Sequence, residues 1–326
     1  MQRLNTMTNF SLTTLSPSDA GKKYDGTYNE TGLPDESSNC HDPGLDKEVL
    51  VFAIFTVLFC ILGILGNGIV IHLLGSSKRN TFTMYILNLS IADFGLVTAE
   101  LIIEIHWFVT HLYCGFPYHS FQTVFLIMYS TGQFLLTVIS IDRCMSLFFP
   151  IWYRCRRPPH LPFILCIIIW VLSLILGGVH HILIVTTSLG DSNLMYQFIV
   201  NAVLCLPLMT VSSLTLLIKV YFVSNQQKRG KLLLAILLTL IFFLILAFPL
   251  NAFYFTIYIF HTIHPNLVHY GYLCACINSS INPLIYYIVG RVKMGRAKQS
   301  MKDILQRMFK EEEQSSEEME TTEGKI

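Results

Sequence analysis

The chain has 326 residues, 53% of them hydrophobic and only 13% charged, with a mean hydropathy of +0.54. Soluble domains carry roughly 25% charged residues, so this balance excludes an ordinary soluble protein and points to an integral membrane protein. A formal charge of +1 says little by itself; the position of the charges is what informs. The nine cysteines, mostly scattered through apolar runs, have neither zinc-site spacing nor the density of a disulfide scaffold.

Residues 1–48 are polar, rich in Ser, Thr, Asn, Gly and Asp, and show no helical or strand period. They are expected to form a disordered tail. The tail lacks the apolar core of a cleavable signal peptide, so the first membrane span is expected to serve as its own insertion signal. It carries two glycosylation sequons, Asn9-Phe10-Ser11 and Asn29-Glu30-Thr31. Two further matches, starting at Asn88 and Asn278, fall inside apolar runs and are rejected, because glycan transfer needs an exposed luminal segment.

Seven apolar runs follow, near Val49–Leu74, Phe82–Trp107, Tyr118–Phe149, Leu161–Thr186, Met195–Val223, Leu232–Phe260 and Leu267–Val289. Each is long enough for a helix to cross a hydrocarbon core. They are read as helices because an open strand edge leaves its backbone unsatisfied in lipid, and a barrel would show short alternating segments. The expected fold is all-α: a seven-transmembrane helix bundle over residues 49–290.

Lys and Arg set the expected orientation. The connections after spans one, three and five hold Lys78, Arg79, Arg154, Arg156, Arg157, Lys228, Arg229 and Lys231. Those after spans two, four and six hold none. This places the N-terminus outside and the C-terminus inside, with the sequon-bearing tail also outside. Residues 291–310 place Val292, Met301, Ile304, Leu305, Met308 and Phe309 against a face of Lys and Arg. That pattern predicts a short amphipathic helix on the inner leaflet. Residues 311–326 form an acidic cytoplasmic tail in which Ser315, Ser316, Thr321 and Thr322 are candidate phosphorylation sites.

Charged and polar residues inside the runs carry the functional signal. Span three ends in adjacent Asp142 and Arg143. A charge inside a hydrophobic run costs roughly 2.5 to 3.5 kcal/mol on the insertion scale. The pair is therefore either an Arg snorkelling to the interface beside an acid, or a latch that opens and releases Arg143 into a cytoplasmic cavity. Span one holds Gly66-Asn67, span two Asp93, span four Trp170, span five Pro207, span six Pro249 and span seven Asn278-Ser279-Ser280-Ile281-Asn282-Pro283. Intramembrane polar residues face the bundle interior or water, and prolines permit kinks.

Asn67, Asp93, Asp142-Arg143, Trp170, Pro207, Pro249 and Asn282-Pro283-x-x-Tyr286, in that order, resemble the signature of rhodopsin-like G-protein-coupled receptors. Three stretches are similar more narrowly to the Mas-related subfamily: residues 150–158 (PIWYRCRRP), 206–213 (LPLMTVSS) and 278–283 (NSSINP). Two absences fit it too. Tyr118 stands where most rhodopsin-like receptors have the disulfide cysteine of span three, and Ala247 where most have the span-six Trp.

The resemblance implies a plasma-membrane receptor that takes an extracellular ligand and activates a heterotrimeric G protein, Gq-type by subfamily, with arrestin as a partner of the phosphorylated tail. The implied activation switch comprises Asp142, Arg143, Tyr221, Phe243, Pro249, Asn282, Pro283 and Tyr286. It also implies a sodium ion, with waters, at Asp93, Asn278, Ser279 and Asn282, although the Ser or Thr ligand of span three falls here at Gly132. The alternative is a polar network that only glues helices.

Phe125 stands where amine receptors carry Asp, which disfavours a monoamine. Glu100 and Glu104 lie four apart on one face of span two, and the outer loops and outer half-spans contain neither Lys nor Arg. They are read either as protonated or hydrogen-bonded acids, or as an acidic cavity for a basic peptide or small cation. Phe125, Tyr129, Tyr254 and Tyr258 are its expected walls, with His180 lining it. Cys40 and Cys114, the two cysteines placed outside, are a candidate disulfide or two free thiols. A secondary transporter would also hold mid-membrane ionisable residues, but no repeated motif joins the two halves. His180-His181 lacks the spacing of a ligand cluster, so an enzyme is not expected. No cofactor beyond the sodium ion and no nucleic-acid partner is expected.

Overall fold

The computed structural model describes residues 47–75, 81–110, 115–158, 160–187, 195–222, 241–242, 245–246, 249–256 and 265–292. The chain divides into units 1–35 and 36–326, and all described residues belong to the second. Asn9, Asn29, Cys40, Cys114, Phe243, Tyr258, the inner-leaflet helix beyond Val292, and Ser315, Ser316, Thr321 and Thr322 lie outside the described residues.

Every described element is helical. They are α1 (Lys47–Gly75), α2 (Thr81–Thr110), α3 (Gly115–Phe148), α4 (Pro150–Cys155), α5 (Leu161–Thr187), α6 (Met195–Val200), a π-helical turn (Asn201–Cys205), α7 (Leu206–Phe222) and α8 (Pro265–Val292). Residues 249–256 are also helical. Among the described residues, five helices are long and apolar enough to cross a membrane. The seventh run, α8, has the length, but Asn278, Ser279, Ser280 and Asn282 dilute its apolar character.

α3 is the hub: it packs on α2, α5 and α7, while α1 packs on α2 and α8. On α1 the buried positions are Val49, Ala53, Thr56, Cys60, Gly63, Asn67, Val70 and Leu74. They alternate spacings of four and three, the 3.5-residue repeat of a left-handed bundle seam. The opposite face exposes Val51, Ile54, Phe55, Leu58, Leu62, Leu65 and Ile69. Large apolar side chains outside and a small or polar seam inside suit a helix whose solvent on one side is lipid. Glycine makes that seam close: a Cβ on Gly63 would lie 2.6 Å from Ser280 Oγ, and one on Gly66 3.1 Å from Pro283.

Two local features follow from proline. Pro207 has no N–H to return to the turn before it, and the π-helical turn ends two residues earlier, at Cys205. Pro150 opens α4, where its missing donor costs nothing. The stretch expected to be a basic loop therefore begins as helix. Phe149 N donates to Met145 O and Tyr153 N to Phe149 O, both at 2.9 Å, so the chain runs almost without interruption from α3 into α4.

Candidate functional site

Three clusters of polar or aromatic side chains lie inside the bundle. The first surrounds Asp93 on α2, which is buried. Asn282 Nδ2 on α8 donates to Asp93 Oδ2 at 2.7 Å, and the Ser279 hydroxyl also bonds that carboxyl. Asn67 Nδ2 on α1 donates to Gly63 O and to Ser279 O, both at 3.0 Å. Its Oδ1 has no hydrogen-bond partner among the described residues. Asn278 is buried on the same helix as Ser279 and Asn282. Gly132 on α3 faces this cluster, since a Cβ there would stand 3.9 Å from Asp93 Oδ1. The oxygens brought together for a cation are the Asp93 carboxylate and the Ser279 hydroxyl, with the amides of Asn67 on α1 and of Asn278 and Asn282 on α8. They suit a hard ion that keeps water ligands, and Gly132 adds none. Among the described residues, no group of three His, Cys, Asp or Glu could hold a metal ion. Tyr286 is buried near Asp93, in the inner apolar core with Tyr85, Leu89 and Leu136.

The second cluster is at the end of α3. Asp142 and Arg143 are both nearly buried, yet the shortest contacts of Asp142 are not to Arg143. Arg157 Nη2 donates to Asp142 Oδ1 at 2.7 Å, and Tyr153 OH to Asp142 Oδ2 at 2.9 Å. Arg143 Nη2 stands 3.9 Å from Oδ2. The Arg157 guanidinium also covers the Tyr153 ring, 4.3 Å from its centroid. Partial burial, then the facing carboxylate, pushes the Tyr153 phenol up to about 12, so it stays protonated and able to donate at neutral pH. Of the other switch residues, Tyr221 lies in α7, its side chain outside the described set. Pro249 lies among the described helical residues 249–256, and Pro283 lies inside α8.

The third cluster lies away from Asp142. Glu100 and Glu104 are both buried on the bundle face of α2. They lie near the buried thiols of Cys60 on α1 and Cys276 on α8, whose sulfurs are 3.7 Å apart. Glu100 Oε2 has no hydrogen-bond partner among the described residues. In the same apolar cluster, Phe125 stacks on Tyr129 at 5.9 Å and tilts against Tyr272 at 5.0 Å. Phe198 stacks on Tyr254 at 4.0 Å, and the Tyr254 and Tyr272 hydroxyls are 2.8 Å apart. Asn251 Nδ2 donates to Tyr129 OH, and Asn201 Nδ2 to Ser130 Oγ, both at 3.0 Å. His180 is buried on α5, and His181 Nδ1 lies 3.1 Å from Thr123 Oγ1. The structure thus brings Phe125, Tyr129 and Tyr254 together and adds Phe198, Tyr272, Asn201 and Asn251, which sequence reasoning missed. An aromatic at position 198 or 272 reads from sequence as one more apolar residue. Tyr153 and Arg157 were missed because three arginines share one short basic stretch and nothing in their order singles one out.

The model of the 7 transmembrane receptor (rhodopsin family) matches residues 66–286. Proto-oncogene Mas of Homo sapiens is 36% identical over 264 residues, covering 78% of this chain and 81% of that protein. Mas-related G-protein coupled receptor member A2B of Mus musculus is 31% identical over 290 residues, covering 85% and 95%. Member X2 of Gorilla gorilla gorilla is 36% identical over 262 residues, covering 75% and 78%. These matches weigh against a transporter and place the protein outside the enzymes. The chain belongs to the rhodopsin family of seven-transmembrane receptors, in its Mas-related branch, and is a multi-pass plasma-membrane G-protein-coupled receptor that answers an extracellular ligand through a heterotrimeric G protein.

Proposed function

We propose that the ligand is cationic, a basic peptide or a small organic cation, and that Glu100 and Glu104 are its counter-charges. The observation that carries this reading is that both carboxyls are buried on the bundle face of α2, while the loops after spans two, four and six hold neither Lys nor Arg. A buried carboxylate is costly unless a positive partner meets it, and a cationic ligand supplies one. The neighbouring rings of Phe125, Tyr129, Tyr254 and Tyr272 add faces on which a cation rests favourably. Tyr258 completes the wall and His180 lines it in this reading. Transfected cells would be screened by calcium release and cyclic-nucleotide output against basic peptides and small cations. A Glu100→Gln, Glu104→Gln receptor is expected to respond to the active compound tenfold or more weakly. An unchanged response removes the proposal.

The remaining assignments follow the same reading. Residues 1–48 lie outside, glycosylated at Asn9 and Asn29, with Cys40 and Cys114 either bridged or two free thiols. Residues 49–290 form the receptor domain, 291–310 the inner-leaflet helix and 311–326 the cytoplasmic tail. Phosphorylation of Ser315, Ser316, Thr321 and Thr322 would add charge that recruits arrestin. The G protein is Gq-type, so calcium release is the expected primary output. Opening the Asp142–Arg143 contact, with Tyr221, Phe243, Pro249, Asn282, Pro283 and Tyr286 repacking around it, turns Arg143 toward the G protein.

Asp93 and Ser279 are the residues that would hold a sodium ion, with Asn67 Oδ1, Asn278 and Asn282 around it and water in place of a hydroxyl at Gly132. When bound, the ion would neutralise Asp93 and favour the resting arrangement. Agonist affinity in membranes is then expected to fall several-fold when sodium replaces a large organic cation at constant ionic strength, and to lose that dependence in Asp93→Asn. Affinity indifferent to sodium in the wild type would leave the polar network as helix glue.

A further inference from the structure

The carboxylate of Asp142 is held by the loop beyond it. Fifteen residues of continuous helix would separate Asp142 from Arg157 by roughly 22 Å. Instead the chain turns back after α4, and the guanidinium of Arg157 reaches Asp142 Oδ1 at 2.7 Å. Tyr153, from α4 itself, donates to the other oxygen at 2.9 Å and lies under the same guanidinium at 4.3 Å. Both oxygens of Asp142 are thereby committed to one segment, residues 153–157. Arg143, next in sequence, is left 3.9 Å from Oδ2, beyond hydrogen-bonding range of it. An arginine fork grips a carboxylate best through both oxygens at once, so Arg143 and the Arg157–Tyr153 clamp compete for the same acceptor.

We propose that Arg157 is a positioning residue of the activation switch: by holding Asp142, it withdraws the carboxylate from Arg143, and the seating of α4 decides which of the two guanidiniums Asp142 serves. This rests on the reading of Asp142 and Arg143 as the switch. It differs from a simple latch between neighbours in one consequence. The loop clamp favours the signalling arrangement, so breaking it damps the receptor, whereas removing the carboxylate excites it. Tyr153 orients the clamp and contributes less, because it carries no charge.

The test needs no ligand. Basal guanine-nucleotide exchange by a purified heterotrimeric G protein is measured on membranes carrying equal numbers of surface receptors. Arg157→Gln is expected to lower exchange threefold or more, Arg157→Lys to recover part of it through charge alone, and Tyr153→Phe to fall between wild type and Arg157→Gln. In an Asp142→Asn background Arg157→Gln is expected to change nothing, since the carboxylate charge for which the two guanidiniums compete is gone. Where wild type exchanges no faster than Arg143→Ala, the half-saturating concentration of nucleotide-free G protein on purified receptor is read instead, and Arg157→Gln is expected to raise it threefold or more. Exchange by Arg157→Gln at or above wild type overturns the proposal. So does an equal loss in both backgrounds, which is the mark of a merely structural residue. Full exchange by Arg143→Ala would instead sink the underlying switch reading, whatever Arg157 does.

Discussion

A carboxylate at the edge of a hydrocarbon layer must be paired, hydrated or neutral, and Asp142 is paired with a charge fifteen positions away. The sequence marks Asp142 and Arg143 as unusual because they end an apolar run together. It does not say which cation the acid prefers, since Arg143, Arg154, Arg156 and Arg157 are all within a flexible turn's reach. The role assigned to the pair is checked by substitution. Asp142→Asn is expected to raise basal signalling several-fold, within the 1–3 kcal/mol typical of such couplings, or roughly 5–150-fold. Arg143→Ala is expected to abolish it. Cell-surface labelling must first show both variants at the surface; normal signalling by both would remove the latch. Glu100 and Glu104 were legible in the same way, as two acids one helical turn apart. Their burial beside Cys60 and Cys276 was not, because it needs α1 and α8 to close over α2.

Among elements, α1 shows why a membrane helix hides its own packing. Both faces are apolar, so no sequence period separates the lipid face from the seam. Between Ala53 and Asn67 the structure separates them by size: the seam carries Ala53, Thr56, Cys60, Gly63 and Asn67, and the lipid face carries Leu, Ile and Phe. Close approach is most demanding at Gly63, where Ser280 Oγ bonds both Phe59 O and Cys276 O at 2.7 Å. Gly63→Val is therefore expected to cost about 1–3 kcal/mol of packing and to lower the surface population and thermal stability of the receptor. Gly75, with open space around its Cβ position, is the matched control; Gly75→Ala is expected to behave as wild type. Equal thermal stability of Gly63→Val and wild type would show that the seam yields. The expected ends of spans one to five and of span seven lie within three residues of the helices observed. The exception in kind is α4, because a basic, proline-bounded stretch reads as loop until Pro150 is seen to start a helix.

For the whole molecule, the arrangement proposed above puts the two ends of the chain on opposite sides of the membrane. Epitope tags at residues 1 and 326 are expected to stain intact cells at the N-terminus only and permeabilised cells at both. Glycosidase treatment is expected to shift the wild type and not an Asn9→Gln, Asn29→Gln variant. Tags on the same face would end the bundle reading outright. By itself the sequence determined that the protein is a helical membrane bundle of the rhodopsin family. Apolar runs of spanning length leave helix as the one open structure that satisfies its backbone in lipid, and the ordered residues from Asn67 to Tyr286 carry the family. Only the tertiary structure decided the partners: Arg157 for Asp142, Asn282 for Asp93, Phe198 for Tyr254, Asn251 for Tyr129. The first folds a loop back on the helix it follows, and the other three join helices far apart in the chain. Their geometry is set by how small residues let the helices approach, which composition and spacing along one strand of sequence do not encode.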